Sequence, residues 1–330
     1  MKKFAVIIPY FGQFRPSVSF FLESCKLNLD IDWHIFTDYS IPENIVLSPN
    51  IVWHNFTLDK FNQLASEKLC HDIVLERPYK LCDIKPFYGI IFSDYISSYE
   101  YWGFGDMDVI YGNVIDYLQK IQYFKYDKIN WMGHFCFIRN NEICNNVVLA
   151  DIDNTVYWKD VVSTANNIGF DERDYNTKFL SKGLKIYNGK WAADIDIFYW
   201  RMRCVDKKTL HLLLDTWKVN YAPKNHPYQI FAVLNGRTFR VYLKNKRVYH
   251  EEFAYIHFRK EVPVISDSTC KNYLITRDGF IKIDDNHIRF SEYNVVKAYI
   301  EKYNLQENPK QDFLNFIYQL YRKLSGKRGW

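Results

Sequence analysis

No apolar run in this 330-residue chain is long enough to span a bilayer. The N-terminal MKKFAVIIPYFG imitates a secretory leader only in part, because its apolar run, Phe4 to Ile8, stops at Pro9 and is too short for the core of a signal peptide. The seven cysteines are an odd number, widely scattered, and none forms a CxxC, which excludes a disulfide framework and a zinc-ribbon pattern. They read as reduced thiols in a cytoplasmic protein. No dense basic stripe and no nucleic-acid motif appears, so the net charge of +5 implies mild attraction to nucleotides, phosphates or an acidic leaflet and no nucleic-acid partner. Internal repeats and low-complexity segments are also absent.

What is present is a globular composition, 48% apolar and 25% charged, on a chain long enough for a sizeable core. Aromatic residues reach 18%, a share that suits sugar stacking and membrane interfaces and equally suits core filling. Phe4 to Ile8 is apolar on both faces, as in a parallel strand covered by helices, and runs into Pro9-Tyr10-Phe11-Gly12. A helical stripe follows over Val18 to Leu29, then a strand Trp33 to Thr37 that ends at Asp38. That carboxylate either accepts hydrogen bonds from a nucleoside or caps a turn. A third strand, Ile51 to Phe56, precedes a helix capped by Thr57.

The segment RPYKLCDIKPFYGIIF places Lys80, Asp83 and Lys85 just before Pro86 opens an apolar helix. The lysines there meet phosphates, hold a carboxylate in place, or are solvated. The stretch around which the chain is organised comes next: WGFGDMDVIYG, Trp102 to Gly112, an aromatic strand ending on glycine and delivering Asp106 and Asp108. With one residue between them, two carboxylates can converge on one divalent cation and leave coordination positions for a diphosphate. A turn at the end of a strand in an α/β sheet is where such folds bind ligands.

Beyond it, Ile129 to Ile138 reads as one strand containing His134, either an acceptor contact or an interior histidine. Asp171 and Glu172 precede an amphipathic helix; they are its N-terminal acids or a general base at the floor of an acceptor cleft. A second acidic pair, Asp194 and Asp196, lies within a continuing strand and ranks below the first as a metal site, with Asp194 a reserve base. Lys207 to Lys218 reads as a helix, Arg277-Asp278-Gly279 as a hairpin turn, and Tyr293 to Tyr303 and Gln311 to Leu324 as closing helices. The last of these is amphipathic, basic and aromatic at its end, fit either to pack on its own domain or to lie on the inner face of the plasma membrane.

Taken together, the Pro9-Tyr10 loop, Asp38, RPYKLCDIKP, the DMD pair and the late HFRK resemble bacterial GT-A-fold glycosyltransferases of capsule and O-antigen polysaccharide biosynthesis. The resemblance implies an α/β, GT-A-like fold: a single Rossmann-like mixed sheet flanked by helices, with a C-terminal helical extension. It implies a catalytic domain over 1–260, its nucleotide-sugar half about 1–125 and acceptor half about 126–260, and a hairpin and helical extension over 261–330. The implied reaction moves a hexosyl unit from a nucleoside-diphosphate sugar, UDP-linked, to a hydroxyl of a growing, lipid-linked surface polysaccharide. Mn2+ or Mg2+ would be held by Asp106, Asp108 and His257. The donor would be bound by Pro9, Tyr10, Asp38, Lys80, Asp83, Lys85, Asp106 and Lys260, the last beside Arg259. If the reaction inverts, Asp171 or Glu172 deprotonates the acceptor. Two other readings remain open: a nucleotidyltransferase acting on sugar phosphates, and a non-catalytic carbohydrate-binding protein.

Overall fold

The structure, a computed structural model, describes residues 3–43, 45–196, 202–204, 224–258, 268–283 and 290–304. Its contacts divide the chain into two compact units. Among the described residues the first comprises 3–109 and 113–191; the second comprises 110–112 and those from 192 onward.

In chain order the strands of the first unit are Phe4–Pro9 (β1), Ile31–Thr37 (β2), Ile51–Asn55 (β3) and Tyr101–Gly105 (β4). Val109–Tyr111 (β5) then carries the chain into the second unit. The first unit resumes with Lys128–Ile129 (β6), Phe135–Arg139 (β7) and Ile186–Tyr187 (β8). The seven-stranded sheet has the order β3-β2-β1-β4-β7-β6-β8. β3, β2, β1 and β4 are parallel neighbours, and β7 runs antiparallel to β4. This is the expected mixed α/β sheet. Its central strands are largely apolar, with Asp32 and His34 of β2 as exceptions, as expected where both faces are covered: Ala5, Val6, Ile7, Trp33, Ile35, Trp102 and Phe104 are all fully buried. Each large side chain so buried contributes roughly 1.5–3 kcal/mol relative to exposure.

Local chemistry accounts for the flanking elements. Thr57 caps the helix Leu58–Leu69, its hydroxyl accepting from the Lys60 amide at 3.2 Å. Gly103 sits in β4 where a Cβ would come within 2.2 Å of the Cys136 carbonyl of β7, so only glycine permits this pairing.

The expectation of one strand over Ile129 to Ile138 is corrected. The chain turns back at Asn130, whose φ is +73°, and β6 and β7 pair antiparallel. Asn130 builds the turn itself: its Oδ1 accepts from the Trp131 amide at 2.9 Å and its Nδ2 donates to the Phe135 carbonyl at 2.6 Å.

The second unit contains strands Ala192–Asp196 (β9), Arg203–Cys204 (β10), Gln229–Leu234 (β11), Arg237–Lys244 (β12), Arg247–Phe253 (β13), Tyr255–His257 (β14), Tyr273–Thr276 (β15) and Gly279–Lys282 (β16). They form a four-stranded sheet, β10-β9-β14-β5, and a five-stranded antiparallel sheet, β13-β12-β11-β15-β16. Neither sheet was anticipated. The Arg277-Asp278 hairpin is found as expected, joining β15 to β16. The helix Tyr293–Asn304 packs Val296 and Ile300 against Ile230, Ala232 and Val241. The expected helices at 207–218 and 311–324 lie outside the described residues.

Candidate functional site

Four segments of the first unit converge at the end of β4: the loop after β1, the helical run 78–91, the turn 130–134, and the loop before the helix Asp174–Ser181. Asp106 is the first residue past the β4 ladder; its amide donates to the His134 carbonyl at 3.0 Å. The backbone then bends, and Asp106 and Asp108 bring carboxylate oxygens within 4.8 Å of each other. Two carboxylates this close are a group that could hold one divalent cation between them.

Lys85 organises the floor. It is 5% exposed, and its ammonium donates to Asp106 Oδ1 and to the Gly133 carbonyl at 2.9 Å, with Asp171 Oδ2 4.0 Å away. Burial alone would lower its pKa, but the charge of Asp106, foremost among its neighbours, holds it well above the usual lysine value. Asp171 is buried as well. Burial pushes its carboxyl up to about 7; Lys85 works against the rise, while Glu172, Asp106 and Asp83 add to it. Glu172 Oε1 accepts from the Gly133 amide at 3.0 Å. A Cβ on Gly133 would lie 2.0 Å from Asp171 Oδ2, so this glycine is what lets the turn and the acids meet.

Lys80 and Asp83 are turned inward. Lys80 is 3% exposed and donates to Asp83 Oδ2 and to the Asn166 carbonyl, both at 2.8 Å. Asp83 is fully buried and accepts from the amides of Ile168 at 3.0 Å and Phe170 at 2.9 Å. That placement gives both residues partners inside the protein, and Lys80 holds a carboxylate in place, one of the tasks its sequence context allows.

The residues expected to form a nucleotide platform gather at the ends of β1 to β3. Pro9 closes β1, the Tyr10 amide donates to the Phe36 carbonyl at 2.8 Å, and the Gly12 amide donates to Asp38 Oδ1 at 3.2 Å. Around them stand Phe14, stacked on Tyr10 at 5.2 Å, with Tyr39 and Trp53 edge-on at 5.7 and 5.6 Å. Of these rings, sequence reasoning had named only Tyr10. It also passed over Arg15, whose Nη1 is 3.6 Å from Asp108 Oδ2.

His257 and Asp194 belong to the second unit. They are register partners in the parallel pair β9 and β14, and the imidazole Nδ1 donates to Asp194 Oδ1 at 2.9 Å. Asp194, expected as a reserve base, therefore orients His257. Arg259 and Lys260 lie outside the described residues.

The chain belongs to the family of unknown function DUF6625, whose model matches residues 6–284. No curated protein matches it. Among solved structures it is similar to the galactosyltransferase LgtC in complex with donor and acceptor sugar analogues, at 10% identity over 78% of this chain and 88% of that one, with a TM-score of 0.41. Mouse xyloside xylosyltransferase 1 shows 7% identity over 79% of this chain and 99% of its own, with a TM-score of 0.41. The glycosyltransferase GlyE of Streptococcus pneumoniae TIGR4 shows 9% identity over 93% of this chain and 66% of its own, with a TM-score of 0.36. No helix among the described residues is long and apolar enough to cross a membrane.

Proposed function

We propose that the chain is a metal-dependent glycosyltransferase that moves a hexosyl unit from a nucleoside-diphosphate sugar to a hydroxyl of a glycan acceptor, a lipid-linked surface polysaccharide on the family resemblance. One observation supports this most: the end of β4 sets two carboxylates at metal-binding separation beside a buried lysine and a carboxyl whose pKa is raised to about 7. That combination supplies both needs of glycosyl transfer, neutralising a leaving diphosphate and accepting a proton.

Asp106 and Asp108 are the ligands assigned to Mg2+ or Mn2+, and His257 is carried as a further ligand on the resemblance. A divalent cation supplies Lewis-acid stabilisation of charge on a leaving oxygen. Lys85 holds Asp106 in its rotamer and keeps Asp171 near a cation. Tyr10, Pro9 and Asp38, with the rings of Phe14, Tyr39 and Trp53, offer a stacking face and an acceptor for a nucleoside. Lys260 would meet the diphosphate. Asp171 takes the acceptor proton in an inverting reaction, with Glu172 fixing the turn against it.

The test is a thermal-shift panel of nucleoside diphosphates with and without Mn2+. A ligand that binds only the native state stabilises it by about 2.7 kcal/mol at a hundredfold excess over its Kd. We expect UDP with Mn2+ to raise the midpoint and either alone to leave it unchanged. No shift with any nucleoside diphosphate, or release of pyrophosphate from a nucleoside triphosphate mixed with a sugar phosphate, overturns the proposal. The second outcome selects nucleotidyl transfer.

A further inference from the structure

The geometry points to Asp83, braced by Lys80, as the positioning residue that sets the place of Asp171 by gripping the backbone just ahead of it. This rests on the reading of Asp171 as proton acceptor. Lys80 and Asp83 stand one helical turn apart on the run Pro78–Ile84, both out of water. The two oxygens of Asp83 are divided between two amides of one loop, Oδ1 taking Phe170 and Oδ2 taking Ile168. Between them Gly169 has a φ of +70°, the left-handed conformation that turns both amides toward one carboxylate. Lys80 reaches past Asp83 to the Asn166 carbonyl, and the Asn167 amide group donates to the Tyr79 carbonyl at 3.0 Å. The loop 166–170 is thus tied at four of its five residues, and Asp171 is the next residue.

The same helical run holds Asp171 from its other side. Lys85, two residues beyond Asp83, places its ammonium 4.0 Å from Asp171 Oδ2, and the Phe87 ring stacks on Phe170 at 5.9 Å. Backbone grip and charge therefore come from one rigid segment, which fixes Asp171 relative to Asp106. A buried ion pair is poor as a stabiliser, since an apolar pair of similar volume often costs less. What it does well here is to offer two acceptor oxygens and a cation at fixed positions to a loop with no regular secondary structure. A misplacement of about 1 Å at a reacting group can cost on the order of 100-fold in rate.

The experiment compares wild type, D83N, D171N and the double variant. Asparagine keeps the shape of Asp83 but has one acceptor oxygen, so one of the two loop amides loses its partner. Hydrogen–deuterium exchange of a peptide covering 166–170 should quicken at least tenfold in D83N. With UDP-sugar and Mn2+, kcat should fall on the order of 100-fold while the donor KM stays within about twofold, and D83N should cost nothing further in the D171N background. G169A loosens the same loop without touching the ion pair, since nothing lies within 4 Å of a Cβ there and only the backbone is strained. It stands in if D83N does not fold. Unchanged exchange in both variants, faster exchange with unchanged kcat, or an undiminished loss in the D171N background overturns the inference. Full kcat in D171N instead removes the proton-acceptor reading, and the exchange data, which need no substrate, tell that apart from failure of the grip.

Discussion

Lys85 donates to Asp106 Oδ1 and, at 2.9 Å, to the carbonyl of Gly133, so one buried ammonium ties the end of β4 to the turn that precedes β7. Removing that cation leaves Asp106 and Asp171 facing each other in a site that burial has already made costly for charge. Breaking one side of a buried pair costs about 3–5 kcal/mol. Lys85→Met is expected to lose stability in that range by urea denaturation and to lose donor turnover with it. A variant as stable as wild type contradicts the central place given to Lys85.

Asp108 separates binding from folding. Among its partners is Arg15, 3.6 Å away and 47% exposed at its side chain, and a pair of that kind is worth only about 0–1 kcal/mol. Asp108→Asn should therefore hold its stability within about 1 kcal/mol while Mn2+-dependent UDP binding weakens on the order of 10–100-fold. Calorimetric titration of UDP with and without Mn2+ checks this. Equal affinity in the variant removes Asp108 from the ligand set.

Much of this arrangement is legible in the sequence where the pattern is local. The apolar run Phe4 to Ile8, the cap at Thr57 and the glycine-terminated strand before Asp106 each carry their own signal over a few residues. The turn at Asn130 was hidden because INWMGHFCFI is apolar nearly throughout, which reads as one buried strand; the available signal was Asn130 with Gly133 three residues on. For Lys80 the sequence leaves three tasks open, and the structure shows it holding a carboxylate, that of Asp83. A lysine reads as solvated unless its partner is known, and the carbonyl of Asn166 lies 86 residues away. The same distance problem hid the register of Asp194 with His257 and the meeting of Asp171 with Lys85.

Asp171 gives a pH signature with a definite sign. Burial raises its folded pKa from 3.8 to about 7, so between those values the folded state holds a proton that the unfolded state has released. The contribution of this group to stability is present in full below about pH 4 and is lost as pH rises through about 7. Asp171→Asn carries no such titration. Its stability relative to wild type should therefore increase from pH 5 to pH 8 in urea melts. Transfer activity runs the other way, rising with pH through about 7 as the carboxylate forms. A pH–rate profile flat between 6 and 8 would falsify the role of Asp171 as base.

Gly133 is tested by the smallest possible change. Its Cβ position is 2.0 Å from Asp171 Oδ2 and 3.0 Å from Glu172 Cγ, so Gly133→Ala must push the acids aside or the turn outward. Overpacking of this kind typically costs about 1–3 kcal/mol. The accompanying loss of rate should exceed what that destabilisation explains, because the displaced groups are the proposed base and the acid beside it. Thermal melts and turnover of the folded variant, measured together, separate the two effects. Normal turnover in Gly133→Ala means that Asp171 is not held at the reacting centre.

In the second unit the Asp194 carboxylate fixes the proton of His257 on Nδ1, across register partners of β9 and β14. A metal-ligating histidine is commonly oriented this way, and loss of the orienting group costs 10–100-fold in metal affinity or activity. Asp194→Asn replaces the anion with a neutral amide whose NH2 group can face the imidazole, so the Nδ1–H tautomer loses its preference. Nitrogen chemical shifts of His257 should show that tautomer dominant in wild type and mixed in the variant, while Mn2+ affinity falls on the order of 10–100-fold. A shifted tautomer with unaltered Mn2+ affinity leaves Asp194 its orienting role and takes His257 out of the ligand set. An unshifted tautomer shows that the backbone of β14, and not the carboxylate, sets the ring.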